Sequence, residues 1–340
     1  MPRITSKTVR NDKLESKHRS NLPVNLQTEM AHRGAPFPTV HNADMKEGSP
    51  SATAEMVCYW RALEATLPSE QRILDDPYAI GFLGPMRKKL VDGVAALPLP
   101  ARRAFLRRLD QALQGAVTFI LARHRAIDQL ILSTQSDQVV LLGAGYDTRP
   151  ARLCDRLCQS RVFEADHPDT ARRKTELAET VYTGTKLAPT EAVTIDFARE
   201  SIEERLVEAG LDVKASTIWV WEGVSMYLTE QAVRETLKLF AGLSGPGSIA
   251  VCDLLSDPHR AGLLPGVQMK MLSATMDWFY SEPFIWHCRQ DQIAGFFSSC
   301  GLSVLENMGL EDLIKPEEKR FSSWFEAISP SLRLIISEPE

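Results

Sequence analysis

The residues of this chain with the clearest chemical possibilities follow a short apolar run. Residues 139–142 lead directly into Gly143 and Gly145. Glycine lets the backbone turn sharply after a buried strand and lets a ligand approach the main chain closely. In the dinucleotide-binding pattern a third glycine stands three residues after the second, where this chain has Thr148. The turn therefore favours a nucleoside without a pyrophosphate, and an ordinary strand-to-helix turn is the alternative.

A second apolar run ends in Asp166, 23 residues after Gly143. At about that distance an acidic residue holds the ribose hydroxyls in nucleoside-binding sheets. A carboxylate suits this role because it can accept both hydroxyl protons at once. The alternative is a helix cap, with Pro168 in the first turn of the helix.

Two more apolar runs end in Asp196-Phe197 and in Glu222. Asp196 could accept a hydrogen bond from the amine of adenine and Phe197 could cover a ring face, unless the pair simply starts a helix. Glu222 ends an otherwise apolar run, where a buried carboxylate needs a partner; a solvated acidic loop is the alternative. Together the four ends predict a site for an adenosyl ligand.

Short apolar runs that alternate with helical segments must position these residues. Strands are predicted at 138–145, 161–167, 191–197, 216–223 and 247–255, and helices at 148–159, 168–180, 200–210 and 229–243. This alternation implies parallel pairing with right-handed crossovers. Near-continuous apolar strands fit a sheet covered on both faces. The predicted fold class is therefore α/β, a doubly wound Rossmann-like sheet with its ligand beyond the carboxyl ends of the strands.

The other segments divide the chain into parts around this sheet. Helical periodicity is seen at 54–67, 102–114 and 115–132, and a late helix and two late strands are predicted at 291–300, 303–310 and 332–339. Residues 256–290 follow the fifth predicted strand as an insertion that is rich in Met, Trp and Phe. This insertion could be an apolar lid or a small hydrophobic subcore. We expect a flexible N-terminal arm (1–50), a helical cap (51–134), a cofactor-binding core (135–255), a lid insertion (256–290) and a C-terminal sheet completion (291–340).

Composition excludes several classes of protein. The net charge of −5 and pI near 5.9 give no basic footprint for nucleic acid. No apolar run reaches about 18 residues, so no membrane partner is expected, and the N-terminus does not read as a secretory signal. The six scattered cysteines lack metal or redox spacing, which predicts reduced thiols, a cytoplasmic location and no metal.

Six stretches resemble the leucine carboxyl methyltransferase family of S-adenosylmethionine-dependent enzymes, and its small-molecule branch in particular. They are WRALEATLPSEQRILDDPYA (60–79), ARHRAIDQLI (122–131), VVLLGAGYDTRPARL (139–153), FEADHPDTARRKTELA (163–178), VTIDF (193–197) and IWVWEGVSMYL (218–228). The resemblance implies the class I methyltransferase sheet, mainly parallel with an antiparallel last strand, and S-adenosyl-L-methionine as the cofactor.

The resemblance also implies roles for single residues. Arg123 matches the arginine that binds the methionine carboxylate of the cofactor, a task that suits a guanidinium fork. Asp147 and Arg149 belong to the matching run and are expected to fix the loop rather than to touch substrate. The cofactor-binding residues implied in this way are Arg61, Arg123, Gly143, Gly145, Asp166, Asp196, Phe197 and Glu222.

The expected reaction is O-methylation of a carboxylate or hydroxyl of a small molecule in secondary metabolism, by a monomer or homodimer. A hydroxyl substrate would need a general base, for which Tyr227 and His287 are the candidates. The alternatives are a protein C-terminal carboxyl methyltransferase and an adenosyl-binding protein without catalysis. A nicotinamide oxidoreductase fits poorly because of Thr148.

Overall fold

The computed structural model describes residues 51–113, 115–257, 284–315, 318 and 332–340. The predicted arm and residues 258–283 of the predicted lid insertion lie outside the described residues. No helix within the described ranges is both long and apolar enough to cross a membrane. The six cysteines, all of them described, are free thiols.

An eight-stranded sheet forms the centre of the fold. Its strands are β1 Gln138–Leu142, β2 Arg161–Asp166, β3 Thr190–Thr194, β4 Thr217–Trp221, β5 Ile249–Asp257, β6 Cys288–Arg289, β7 Leu302–Met308 and β8 Leu332–Pro339. The order is β3-β2-β1-β4-β5-β8-β7, and β6 pairs with β5 outside this path. Strands β1 to β5 pair in parallel, whereas β8 runs antiparallel to β5 and β7. The predicted fold class, including the antiparallel last strand, is confirmed.

Helices cover the sheet and build the N-terminal cap. They are α1 Ala52–Glu64, α2 Pro85–Ala95, α3 Leu99–Ala112, α4 Ala116–Ser133, α5 Arg149–Arg152, α6 Cys154–Leu157, α7 Pro168–Val181, α8 Ile202–Glu208, α9 Glu230–Gly242, α10 Ile293–Ser298 and α11 Leu310–Leu313. The sequence pattern missed α2, because only Val91 and Val94 of this helix are buried. The helix predicted over 148–159 is two short helices that meet at Leu153.

Strand β1 sends its side chains into two separate apolar clusters. Val140 and Leu142 pack with Phe240 of α9 on one face of the sheet. Val139 and Leu141 pack with side chains of α4 on the other face. Successive side chains of a strand point to opposite faces, so both faces are covered and the strand reads as one apolar run.

The carboxyl ends of the parallel strands are joined by main-chain hydrogen bonds beyond the strands. The Gly143 N–H donates to the Ala165 carbonyl at 2.8 Å, and the Ile195 N–H donates to the Asp166 carbonyl at 2.9 Å. Strand β1 lies between β2 and β4, so the strand order reverses its direction along the sheet at β1. In open α/β sheets, ligands bind at such a switch point, beyond the carboxyl ends of the strands, and Gly143, Asp166, Asp196 and Glu222 end or follow strands at this edge.

Candidate functional site

The turn after β1 needs both of its glycines. Gly143 has a φ of 73° and Gly145 a φ of 50°, in the left-handed region that side chains rarely adopt. A Cβ at Gly143 would lie 2.8 Å from Cγ2 of Val224, and one at Gly145 would lie 3.2 Å from Cβ of Ala54. The turn is therefore held tightly between the loop after β4 and helix α1.

Asp166 ends β2 beside this turn. Its carboxylate accepts hydrogen bonds from the N–H of Gly145 and, at 2.6 Å, from the N–H of His167. Burial raises the pKa of this carboxyl, although the two N–H groups and Lys174 act in the opposite direction. The residue that caps α7 is His167, whose Nδ1 accepts from the N–H of Asp169 at 3.3 Å. The helix cap is therefore provided by the neighbouring His167 and not by Asp166.

Asp196 and Phe197 follow β3 at the same edge. The Asp196 carboxylate accepts from the Ala198 N–H at 3.1 Å and lies 3.6 Å from the guanidinium of Arg199. Phe197 is half-buried against the apolar cluster that contains Phe240. Helix α8 begins at Ile202 with Ser201 as its cap, so the pair forms a turn ahead of the helix.

Glu222, directly after β4, is surrounded by two arginines and a histidine. Its Oε1 lies 2.6 Å from Nη1 of Arg149, and its Oε2 lies 2.9 Å from Nε of Arg123 and 3.4 Å from Nδ1 of His124. Burial alone would raise its pKa, but Arg149 and Arg123 outweigh burial and lower the pKa to about 2. Glu222 is therefore ionised in the folded chain, and the alternative of a solvated acidic loop is wrong for this residue.

Arg123, on α4, is held between two carboxylates. It pairs with Asp253 of β5 as well as with Glu222, and Asp253 also accepts from the Gly223 N–H at 2.7 Å. Burial disfavours its charge, yet Asp253 and Glu222 more than offset this and raise its pKa. The 2.9 Å contact to Glu222 is not a hydrogen bond, because the N–H is misaligned. Arg123 Nε and Glu222 Oε2 consequently have no hydrogen-bond partner among the described residues.

Arg61, on α1, reaches the same loop from the other side. Its guanidinium lies 2.8 Å from Asp76 and donates to the Tyr146 carbonyl at 2.6 Å. Thr148 donates to Asp76 at 2.8 Å, which explains why this position carries a hydroxyl where dinucleotide-binding turns have glycine. The N-terminal cap is thereby bonded to the loop after β1.

Arg149 lies fully buried at the centre of a cluster of charged and polar side chains. The cluster comprises Arg61, Arg123, His124, Arg149 and Arg152 together with Asp76, Asp128, Asp147, Glu222 and Asp253. It pairs with Asp147, with Glu222 and, at 2.7 Å, with Asp128 of α4. The predicted loop-fixing role of Asp147 and Arg149 agrees with these internal contacts. Arg152 adds a second contact to Asp128, so α5 is attached to α4 by two guanidinium groups.

His124 is neutral within this cluster. Burial is the main cause of the lowering of its pKa well below 6.5, followed by Arg149 and Arg123. Its Nδ1 lies 3.0 Å from the Ile120 carbonyl, which assigns the Nδ1–H tautomer as the donor.

The two candidate bases lie on the loop after β4 and directly before β6. Tyr227 is half-buried in the 3₁₀ turn Ser225–Tyr227 after β4, with its ring 5.5 Å from that of Phe284. His287 is exposed, directly before β6. The N–H of Ile285 donates to the Met226 carbonyl at 2.8 Å, so the end of the insertion lies against this turn. Their role stays a prediction.

The sequence reading missed several members of the cluster. These are Asp76, His124, Asp128, Arg152 and Asp253. A signal was present for Asp253, because it interrupts an otherwise apolar segment that becomes buried in β5. Among the described residues no three His, Cys, Asp or Glu side chains form a group that could hold a metal ion.

The strand order and a family match together identify the fold and the family of this chain. A β3-β2-β1-β4-β5 parallel sheet with an antiparallel strand inserted beside β5 is the class I methyltransferase sheet. Residues 54–241, more than half of the chain, match the family model for leucine carboxyl methyltransferase. The chain belongs to the leucine carboxyl methyltransferase family.

Relatives and solved structures were compared as well. A Mycobacterium avium (strain 104) protein, provisionally named as an S-adenosyl-L-methionine-dependent methyltransferase, is 33% identical over 59% of this chain and 65% of its own length. A similarly named Frankia alni protein is 32% identical over 58% of this chain and 66% of its own length. About a third of each relative is thus outside the alignment. A mitomycin 7-O-methyltransferase structure aligns at 13% identity, with a TM-score of 0.42, over 83% of this chain and 68% of its own. That likeness supports no conclusion about activity.

Proposed function

We propose that this chain transfers the methyl group of S-adenosylmethionine to a carboxylate or hydroxyl oxygen of a small molecule. One observation carries the proposal. A buried Arg123–Glu222 pair stands at the carboxyl end of β4, beside the glycine turn after β1 and the carboxylate that ends β2. These are the groups needed to hold an amino acid and a nucleoside side by side, in a chain of a methyltransferase family.

The residues at this edge fit the cofactor by their chemistry. Arg123 Nε and Glu222 Oε2 are buried without hydrogen-bond partners among the described residues, so they offer a donor for a carboxylate and an acceptor for an ammonium group. Arg61 Nε is unpartnered in the same way. Main chain without Cβ atoms at Gly143 and Gly145 lets a ligand lie against the turn.

The nucleoside half of the cofactor is assigned to the other two strand ends. Asp166 would accept from the ribose hydroxyls with the lone pairs that its two N–H donors leave free. Asp196 would accept from the adenine amine, and Phe197 would cover the ring. These assignments follow the family resemblance residue by residue, and the geometry supports them by placing the residues along one edge of the sheet.

The bound cofactor supplies a methyl group already activated on a sulfonium. The chain therefore has chiefly to hold the acceptor oxygen in line with it, and alignment of this kind can supply about 7–11 kcal/mol. A carboxylate acceptor needs no base because it is ionised at neutral pH. Burial and the neighbouring arginines lower the pKa of His124, so a hydroxyl acceptor would depend on Tyr227 or His287 as its base.

The proposal is tested with the purified chain, cofactor carrying a labelled methyl group, and separated small-molecule and protein fractions of a cell extract. We expect label in the small-molecule fraction and release of S-adenosylhomocysteine. Label confined to protein would indicate a protein carboxyl methyltransferase instead. Binding of the cofactor without turnover in any fraction would leave a non-catalytic adenosyl-binding protein. An Arg123→Met variant shown to be folded is the control and should lose the label.

A further inference from the structure

The hairpin of helices α2 and α3 has a surface unlike the rest of the molecule. Residues 85–112 contain seven Lys or Arg and two Asp, a net charge of +5 in a chain whose total is −5. The same hairpin exposes four large apolar side chains. They are Met86 (78% exposed), Leu90 (53%), Leu97 (38%) and Phe105 (38%).

The apolar and basic side chains are close neighbours. Met86 and Leu90 lie one turn apart on the same face of α2, with the exposed Lys89 beside them. Phe105 on α3 is followed by the exposed Arg107 and Arg108. This combination of exposed apolar and basic side chains is typical of helices that lie in the interface of a bilayer.

The basic side chains are available to a partner. Lys88, Lys89, Arg107 and Arg108 form no ion pair with any carboxylate that the structure describes. The hairpin is also a firm support, because Arg102 at the start of α3 donates to the carbonyls of Ala95 and, at 3.0 Å, Leu97. Exposed apolar side chains on a rigid, cationic element call for an anionic, apolar occupant.

We propose that the α2–α3 hairpin docks peripherally on anionic phospholipid surfaces, with Met86, Leu90 and Phe105 entering the headgroup region. Charge disfavours the other occupants from this chain. The N-terminal residues 1–50 carry +3, and a second copy that docked hairpin to hairpin would bring an equally basic surface, so both arrangements are repulsive. Nucleic acid gives the aliphatic side chains of Met86 and Leu90 no apolar region to enter. The sequence expectation of no membrane partner was argued from spanning segments and does not bear on peripheral contact.

The docking face is connected to the N-terminal cap. Gly84, the residue before α2, donates its N–H to Glu55 of α1 at 3.2 Å. The Arg87 guanidinium of α2 lies 5.9 Å from the ring centre of Tyr59 of α1. Helix α1 in turn contacts the turn after β1 through Ala54. Vesicle binding can be measured without cofactor, so the inference stands or falls separately from the proposed function.

The test is co-sedimentation of the full chain with phosphatidylcholine vesicles and with vesicles containing about 30% phosphatidylglycerol, at low ionic strength. We expect binding to the anionic vesicles, a marked loss on raising the salt to about 0.5 M, and weak binding to the neutral ones. Neutralising one exposed basic side chain, as in Lys89→Gln, should lower partitioning about fivefold. The double variant M86S/L90S should lower it at least tenfold.

A matched control is available elsewhere on the surface. Leu132 and Leu305 are 53% and 49% exposed, far along the chain from the hairpin, and L132S/L305S should bind like the unmodified chain. Circular dichroism verifies that each variant is folded. Absence of binding to anionic vesicles, or binding that the hairpin variants do not change, would overturn the inference. Recovery of a stoichiometric acidic protein on the hairpin in place of lipid would do so as well.

Discussion

At the scale of single residues, the molecule depends on charges that are buried in pairs. Taking a charge out of water costs several kcal/mol, and only close partners with good geometry offset that cost. Here four arginines interleave with five carboxylates, so every charge has at least one opposite neighbour. They are Arg61, Arg123, Arg149 and Arg152 with Asp76, Asp128, Asp147, Glu222 and Asp253.

Removing Arg149, the arginine at the centre of this cluster, should lower the stability of the folded chain. Arg149→Met leaves Asp147, Asp128 and Glu222 without their shared partner, and we expect a loss of about 3–5 kcal/mol in the free energy of unfolding. Urea denaturation followed by circular dichroism measures this. Arg172→Met, at a 61% exposed side chain paired with Asp169, is the control and should cost less than about 1 kcal/mol. Equal losses in the two variants would refute the argument.

The depressed pKa of Glu222 makes a prediction about pH. Because its folded pKa, about 2, lies below the ordinary 4.5, the ionised carboxylate stabilises the fold. That contribution is complete above the ordinary pKa and is lost as the pH falls toward 2. The difference in unfolding free energy between the unmodified chain and Glu222→Gln should therefore shrink between about pH 6 and about pH 3.

The control for that titration is Glu176→Gln, at a 54% exposed side chain on α7. Its difference from the unmodified chain should stay small across the range. Guanidinium chloride would screen these charges, so urea is the denaturant to use. A Glu222→Gln difference that grows on acidification would show that the carboxylate is not held ionised by Arg149 and Arg123.

At the scale of elements, the turn after β1 is a tightly constrained piece of backbone. Gly143→Ala would place a Cβ 2.8 Å from Val224 at a φ of 73°, and we expect a loss of about 1–3 kcal/mol together with weaker cofactor binding. Gly93→Ala is the matched control, because Gly93 is inside α2 with no atom within 4 Å of the added Cβ. It should stabilise the chain by about 0.5–1 kcal/mol. Thermal unfolding of both variants measures these effects, and equal signs would contradict them.

Elements with strong patterns were predictable from the sequence, and others were not. Strand β4 and helix α9 follow from apolar runs and periodicity because each packs against a large core. Helix α2 shows little apolar periodicity because it is mostly exposed. Leu310, the last residue of the strand predicted at 303–310, instead starts α11 after Gly309. Short or exposed elements take their form from contacts that a local pattern does not encode.

At the scale of the whole molecule, two apolar clusters, one on each face of the sheet, pack the sheet against its helices. Phe240 stacks on Trp219 with ring centres 4.9 Å apart and is fully buried. Phe240→Ala should therefore cost about 3–5 kcal/mol, measured by urea unfolding. Leu305→Ala, at a 49% exposed position of β7, should change stability by less than about 1 kcal/mol. A small cost at Phe240 would mean that this face is not tightly packed.

The site as a whole was predictable only in part. The placement of Gly143, Asp166, Asp196 and Glu222 at one edge was predictable because each ends or follows a strand, and the carboxyl ends of parallel strands meet at one edge; their roles stay predictions. Asp253, the second partner of Arg123, was not predicted, because it is 130 residues away along the chain. Contacts of that range are set by the packing of α4 against β5, which a reading of single segments does not reach.

The central claim is that the strand ends hold one phosphate-free adenosyl cofactor. Isothermal titration of the purified chain with S-adenosylhomocysteine, repeated with Asp166→Ala, tests it most directly. We expect one binding site per chain, no heat with NAD, and a loss of about 1–3 kcal/mol of binding free energy in the variant. A chain that ignores S-adenosylhomocysteine at millimolar concentration, or an Asp166→Ala variant with an unchanged dissociation constant, would contradict the account.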